Sequence, residues 1–165
     1  MHAIAGYTMV LSAVCAAAGC RTPPAVGAPD PITPAAAAVR PQIDSSMTRF
    51  NRFMQAGPAD SAAAMFTADG ELYEPRLAVK KGRTAIRDFL APLTRQVRLE
   101  SAVATTQALE RYGKHVVQWG EYVGNASRVT GPEESYRGRF VAEWAQQSDG
   151  RWLLHRLMLQ PLSGW

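Results

Sequence analysis

Cysteine is almost absent from this chain of 165 residues, occurring only as Cys15 and Cys20. The sequence after position 20 therefore has no disulfide open to it and offers no thiolate pair for zinc. Residues 1–20 contain no Asp, Glu, Lys or Arg, yet the apolar run from 4 to 19 falls short of the roughly 18 or more apolar residues a membrane span needs. Dense runs of one charge are also missing. The 18 basic residues are interleaved with 14 acidic ones, for a formal charge of +4, which is too diffuse to track a phosphate backbone and excludes nucleic acid as the expected partner. No glycine-rich phosphate loop, G-x-S-x-G elbow or H-E-x-x-H pattern is present, and His115 and His155 stand apart without a paired His, Cys or Asp spacing. Neither metal nor cofactor is expected. With 47% hydrophobic and 19% charged residues, what is present is enough to bury the core of one domain.

The uncharged front reads as the hydrophobic region of a signal peptide. Ala17-Ala18-Gly19-Cys20 resembles the bacterial lipobox, in which small residues precede a cysteine that is lipidated and becomes the mature N-terminus. The resemblance implies that Cys20 carries a lipid and that the protein is anchored to a membrane of the bacterial cell envelope. The alternative is a plain secretory signal and a secreted or periplasmic soluble domain. Pro23, Pro24, Pro29, Pro31, Pro34 and Pro41 follow, spaced by Ala, Gly and Thr. That density of fixed φ and missing donors predicts an extended tether. The chain divides accordingly into a signal peptide over 1–19, a lipidated Cys and tether over 20–41, and one folded unit over 42–165.

Within that unit, Ile43, Met47, Phe50 and Phe53 recur at helical spacing and predict a helix over 43–56, stopped by Gly57-Pro58. Asp60 can cap a short second helix, and Thr84 a third that shows Ile86, Phe89, Leu90 and Leu93 on one face and closes or kinks at Pro92. Glu71 to Pro75 has the look of a short strand. From about residue 97 the period changes to two. Strands are predicted over 97–109, 115–123, 136–147 and 151–160, with turns at Tyr112-Gly113, Gly131-Pro132 and Ser148-Asp149-Gly150. Helices first and an antiparallel meander after them make an α+β order.

The run Phe66-Thr67-Ala68-Asp69-Gly70-Glu71-Leu72-Tyr73-Glu74-Pro75, followed by Lys81-Gly82-Arg83-Thr84-Ala85-Ile86, resembles the signature of SnoaL-like, ketosteroid-isomerase-like domains of the nuclear transport factor 2 superfamily. Trp119-Gly120-Glu121-Tyr122 and the hairpin from Glu143-Trp144 through Asp149-Gly150-Arg151-Trp152 to Pro161 are similar to that family's later strands. The resemblance implies a cone: N-terminal helices packed on a curved, mainly antiparallel sheet that encloses a pocket. It also implies a homodimer. The family holds isomerases, cyclases and dehydratases beside non-catalytic binding domains, so the fold alone assigns no chemistry.

Two functional readings follow. In the first, the cone binds a small apolar or aromatic ligand, or an envelope protein, without turnover, in a pocket lined by Tyr73, Phe89, Trp119, Tyr122, Trp144 and His155. In the second, the domain is an acid–base enzyme using Glu74 or His155 with Tyr73. Glu74 precedes Pro75 as the isomerase base does, but it also reads as a strand-end carboxylate paired with Arg76 or Arg83. Strict alternation places His155 on one face with Leu153, Leu157 and Leu159, in a core or lining a pocket. No Asp occurs between Asp88 and Asp149, so the protonated Asp that binds the oxyanion in isomerases has no counterpart on those strands. This favours binding over catalysis.

Overall fold

A computed structural model describes residues 32–75 and 77–163. The signal segment, Cys20 and most of the proline-rich stretch lie outside the described residues, as does Arg76. The elements run α1 (Pro34–Ala37), α2 (Arg40–Ala56), α3 (Ala59–Ala63), β1 (Phe66–Tyr73), β2 (Lys80–Lys81), α4 (Gly82–Gln96), β3 (Val97–Tyr112), β4 (His115–Arg128), β5 (Glu133–Gln146) and β6 (Trp152–Ser163). The six strands form one sheet in the order β2-β1-β6-β5-β4-β3, antiparallel throughout except where β1 lies parallel to β6. Helices pack on one face of this mixed, mostly antiparallel sheet, which stays open at its edges, and the fold is the α+β cone.

The core lies between α2, α4 and the concave face of the sheet. Ile43, Met47 and Phe50 of α2 and Ile86 and Leu90 of α4 are buried against Leu72, Phe140, Trp144, Leu154 and Leu157. Irregularities in β3, between Leu99 and Ser101 and again between Thr106 and Ala108, let a strand this long bend around the helices. The narrow end is closed by a polar chain. The Trp144 Nε1–H donates to Gln118 Oε1 at 2.8 Å, Gln118 Nε2 donates to Thr106 Oγ1 at 2.7 Å, and the Thr106 hydroxyl donates to Asp44 Oδ1 at 2.7 Å. Gln118 is 1% exposed, so this chain ties β5, β4, β3 and α2 together where water cannot substitute.

The folded unit starts earlier than the proline spacing predicts. Ile32 forms a parallel bridge to Leu109, Thr33 N–H donates to the Leu109 carbonyl, and Ala36 and Val39 are buried. Pro34 and Pro41 are tolerated because each occupies a first-turn position of its helix, where the missing N–H has no intrahelical acceptor. The third predicted helix also differs in detail. It begins at Gly82, so Thr84 is inside it rather than capping it, and it runs through Pro92 to Gln96. Leu90, Leu93 and Thr94 face the interior on either side of the exposed Pro92, and their packing holds the helix together past the lost hydrogen bond.

Candidate functional site

Strand alternation decides which chemistry reaches the inside of the cone. On β1 and just beyond it, Leu72 and Glu74 point inward while Glu71 and Tyr73 point out. The inward residues border a cavity of about 360 Å³. Met47, Phe50, Asn51 and Met54 of α2 form one wall, and Phe89, Leu90, Leu93 and Thr94 of α4 another. Residues of β3 from Val97 to Ala104, Tyr122, Tyr136 and Phe140 of β4 and β5, and Leu157, Leu159 and Pro161 of β6 complete it.

The rings are seated by glycines. Across the β4–β5 pair Tyr122 lies opposite Gly138, Gly124 opposite Tyr136, and Gly120 opposite Phe140. A Cβ at Gly138 would come within 2.2 Å of the Tyr122 hydroxyl, and one at Gly124 within 2.4 Å of the Tyr136 hydroxyl. Each aromatic side chain thus lies flat over a bare stretch of the neighbouring strand, an arrangement only glycine admits. Tyr122 and Tyr136 stand with ring centroids 6.0 Å apart, and the Tyr136 O–H donates to the Ser101 carbonyl at 2.8 Å.

Glu74 is the carboxyl group of this cavity. Burial among apolar neighbours pushes it up to about 7, because no charge replaces the water that a carboxylate loses there. The Tyr122 phenol is pushed up to about 12, first by burial and then by the nearby negative charge of Glu74 and by Tyr136. At neutral pH the cavity therefore holds a half-ionised carboxyl beside protonated phenols. The pairing of Glu74 with Arg83 expected from sequence does not form, since Arg83 donates through Nε to the Phe66 carbonyl at 2.7 Å.

Tyr73 and His155 are not in the cavity. The Tyr73 O–H donates to Glu71 on the convex face of the sheet, beside Lys81 at 2.9 Å and Arg156 at 3.3 Å from the same carboxylate. Tyr73, Lys81 and Arg156 hold Glu71 down at about 2. Arg156 also bridges to Glu143, which accepts from or pairs with His115 at 2.9 Å. His155 belongs to this face. Its Nδ1 lies 3.2 Å from Thr67 Oγ1, and its ring packs edge-on to His115 at 6.0 Å. The cause is a β-bulge: Glu143 pairs with Arg156 but Trp144 with Leu154, so His155 is an extra residue and the alternation counted from Leu157 fails there. His155 shares its face with Leu153, as expected, and not with Leu157 and Leu159.

Trp119 and Trp144 also stay outside the cavity. Trp119 flanks inward-facing Gln118 and Gly120 and so projects from the other face, and Trp144 is fully buried in the closed end, where its indole serves the polar chain. Of the pocket residues expected from sequence, Phe89 and Tyr122 line the cavity, and Glu74 joins them. Sequence reading missed Tyr136 and Asn51 in this role. The alternation of Tyr136-x-Gly138-x-Phe140 against Gly120-x-Tyr122-x-Gly124 was the available signal for Tyr136. Among the described residues no group of three or more His, Cys, Asp or Glu side chains is placed to hold a metal ion.

The comparison with curated proteins found no match. Solved structures share the fold at low identity. A ketosteroid isomerase-like protein from Erwinia carotovora superposes with a TM-score of 0.68 at 12% identity, over 76% of this chain and 98% of its own. A conserved protein from Planctomyces limnophilus gives 0.68 at 15%, over 76% and 99%. A nuclear transport factor 2-like superfamily protein from Salmonella enterica gives 0.63 at 14%, over 78% and 94%. The family model of the SnoaL-like domain matches residues 47–155, which takes in α2 from Met47, the cavity's Glu74, Phe89, Tyr122 and Tyr136, and the bulge at His155, and the chain belongs to that family.

Proposed function

We propose that this domain binds a small, largely apolar molecule inside the cone. The observation that carries the reading is the cavity itself: about 360 Å³, within the usual range for ligand sites, walled by aliphatic and aromatic side chains and carrying the Glu74 carboxyl group. Its rings are set by cross-strand glycines rather than by an occupant, so the space is preformed and binding costs little reorganisation. Methylnaphthalene is a suitable probe. Titration should give saturable shifts in the NMR signals of Phe89, Tyr122 and Tyr136, and Ala104→Phe, which fills the cavity from β3, should abolish them while the circular dichroism stays native. Saturable binding that survives Ala104→Phe would place the site elsewhere and end this reading.

A second reading, acid–base catalysis, is favoured by Glu74 standing near neutrality beside a protonated phenol. Here the pair is Glu74 with Tyr122, in place of the Tyr73 and His155 expected from sequence. A Glu74 carboxylate would take a proton from the carbon next to a ligand carbonyl, and the Tyr122 O–H would donate to the oxygen on which the enolate charge develops. The check is deuterium uptake by β-tetralone in heavy water. Catalysed uptake should rise with pH through about 7, as Glu74 ionises, and vanish in Glu74→Gln. Uptake no faster than in Glu74→Gln would remove the catalytic reading and leave binding intact. We propose further that lipidation of Cys20 fixes the domain to a membrane of the cell envelope, on the strength of the Ala17-Ala18-Gly19-Cys20 motif.

A further inference from the structure

The cavity's polar groups specify the charge of its occupant. Among the described residues, the lining contributed by α2, α4, β3 and β6 carries no titratable side chain, and β4 and β5 add only the phenols of Tyr122 and Tyr136. Among the described residues no Lys, Arg or His lines the cavity, and Lys80 of β2 lies 5.4 Å from the Phe89 ring without joining the lining. A bound anion would meet no counter-charge there and would lie against a carboxylate, which desolvation makes costly. The Glu74 carboxyl forms no hydrogen bond or ion pair with a described residue, its backbone carbonyl alone accepting from the Leu77 N–H at 3.2 Å. Glu71, three residues earlier, is saturated by Tyr73, Lys81 and Arg156. Among the described residues, the carboxylate inside the cone thus has no donor or counter-ion, and the one on the convex face has three.

The surroundings complete a receptor for positive charge. Phe50 and Phe140, with the rings of Tyr122 and Tyr136, present aromatic surface around the cavity, and aromatic faces attract cations most strongly where water is excluded. Resting on the binding reading above, we propose that the cognate ligand is a lipophilic amine, bound as its ammonium with the charge against Glu74 and the hydrocarbon among the rings.

Three probes with one aromatic skeleton separate the outcomes: naphthylmethylamine, methylnaphthalene and naphthylacetate, titrated calorimetrically into the whole folded domain. At a pH of about 8, where Glu74 is ionised, the amine should bind at least about tenfold more tightly than methylnaphthalene, and naphthylacetate should not saturate. The amine's advantage should shrink as the pH is lowered toward about 5, a readout that needs no variant. In Glu74→Gln the amine and methylnaphthalene should bind alike. Equal binding of the two in the unaltered protein, or an amine preference that persists in Glu74→Gln, would overturn the inference while methylnaphthalene binding still upholds the cavity. Failure of both to bind would overturn the inference and the binding reading together.

Discussion

Ionising Glu74 in the folded domain leaves a charge in a cavity lined by Leu72, Leu157 and Tyr122, whereas in the unfolded chain the same carboxylate is hydrated. Its folded value of about 7 lies above the ordinary 4.5, so between these values the folded state binds more protons than the unfolded one. The stabilisation from the neutral carboxyl is complete below about 4.5 and is lost as pH rises through about 7. Allowing for the part of the group that water reaches, the loss is about 1–3 kcal/mol. Urea unfolding should show it as a fall in midpoint between pH 5 and pH 8 that Glu74→Gln removes, the variant being the more stable at the upper end; an unchanged profile in Glu74→Gln would show that another group titrates. Tyr73→Phe and His155→Ala, by contrast, should leave methylnaphthalene affinity within about twofold of the unaltered domain, since both residues sit on the convex face. The sequence reading placed Tyr73 in the cavity with Glu74 and missed their partition, although adjacent strand residues cannot both face one cavity. The facing of His155 was not legible: the extra residue of a bulge has no signature in Leu154-His155-Arg156, and it is fixed only by the register against β5.

The β4–β5 pair carries the cavity's shape. Its register brings Gly120, Gly124 and Gly138 opposite Phe140, Tyr136 and Tyr122, and both strands alternate with the sheet's period of two, so strand existence and facing were readable from sequence. The partnering was not readable, because pairing depends on the turn between β4 and β5, whose Gly131-Pro132 signal leaves the register open by a residue. Gly138→Ala tests the arrangement. Its methyl group would fall 2.2 Å from the Tyr122 hydroxyl and 2.5 Å from the Gln160 carbonyl, so ring or strand must shift. The expected cost is about 1–3 kcal/mol in urea unfolding, together with weakened methylnaphthalene binding as Tyr122 tilts into the cavity. Unchanged stability and affinity would show that the ring has room the structure denies it. At the closed end, Gln118→Leu should cost about 1–3 kcal/mol without reaching the ligand, because it strands the Trp144 indole N–H and removes the donor to Thr106. A midpoint shift with normal ligand affinity is the result to look for.

The N-terminal approach sets how the domain would be presented. Composition alone marked the chain as tether through Pro41, yet Ile32 already pairs with Leu109, and Ala36 and Val39 are buried. Proline density reports what the backbone cannot donate and is silent on whether small apolar residues between the prolines find a surface. On the anchoring proposal, residues 20–31 are what is left to act as a tether, and at roughly 3.1 Å per residue they would span about 30–40 Å. It would join the domain near Leu109, whereas the cavity is lined by the other half of β3, from Val97 to Ala104. A lipid on Cys20 would then attach to the domain at the closed end, away from the residues that line the cavity. Among the described residues no helix is long and apolar enough to cross a membrane. Cys20→Ser should therefore move the protein from the membrane pellet to the soluble fraction on fractionation of expressing bacteria, and the released domain should keep its amine and methylnaphthalene affinities, because the cavity and the anchor share no residue. Retention of Cys20→Ser in the pellet would end the anchoring proposal without touching the cavity.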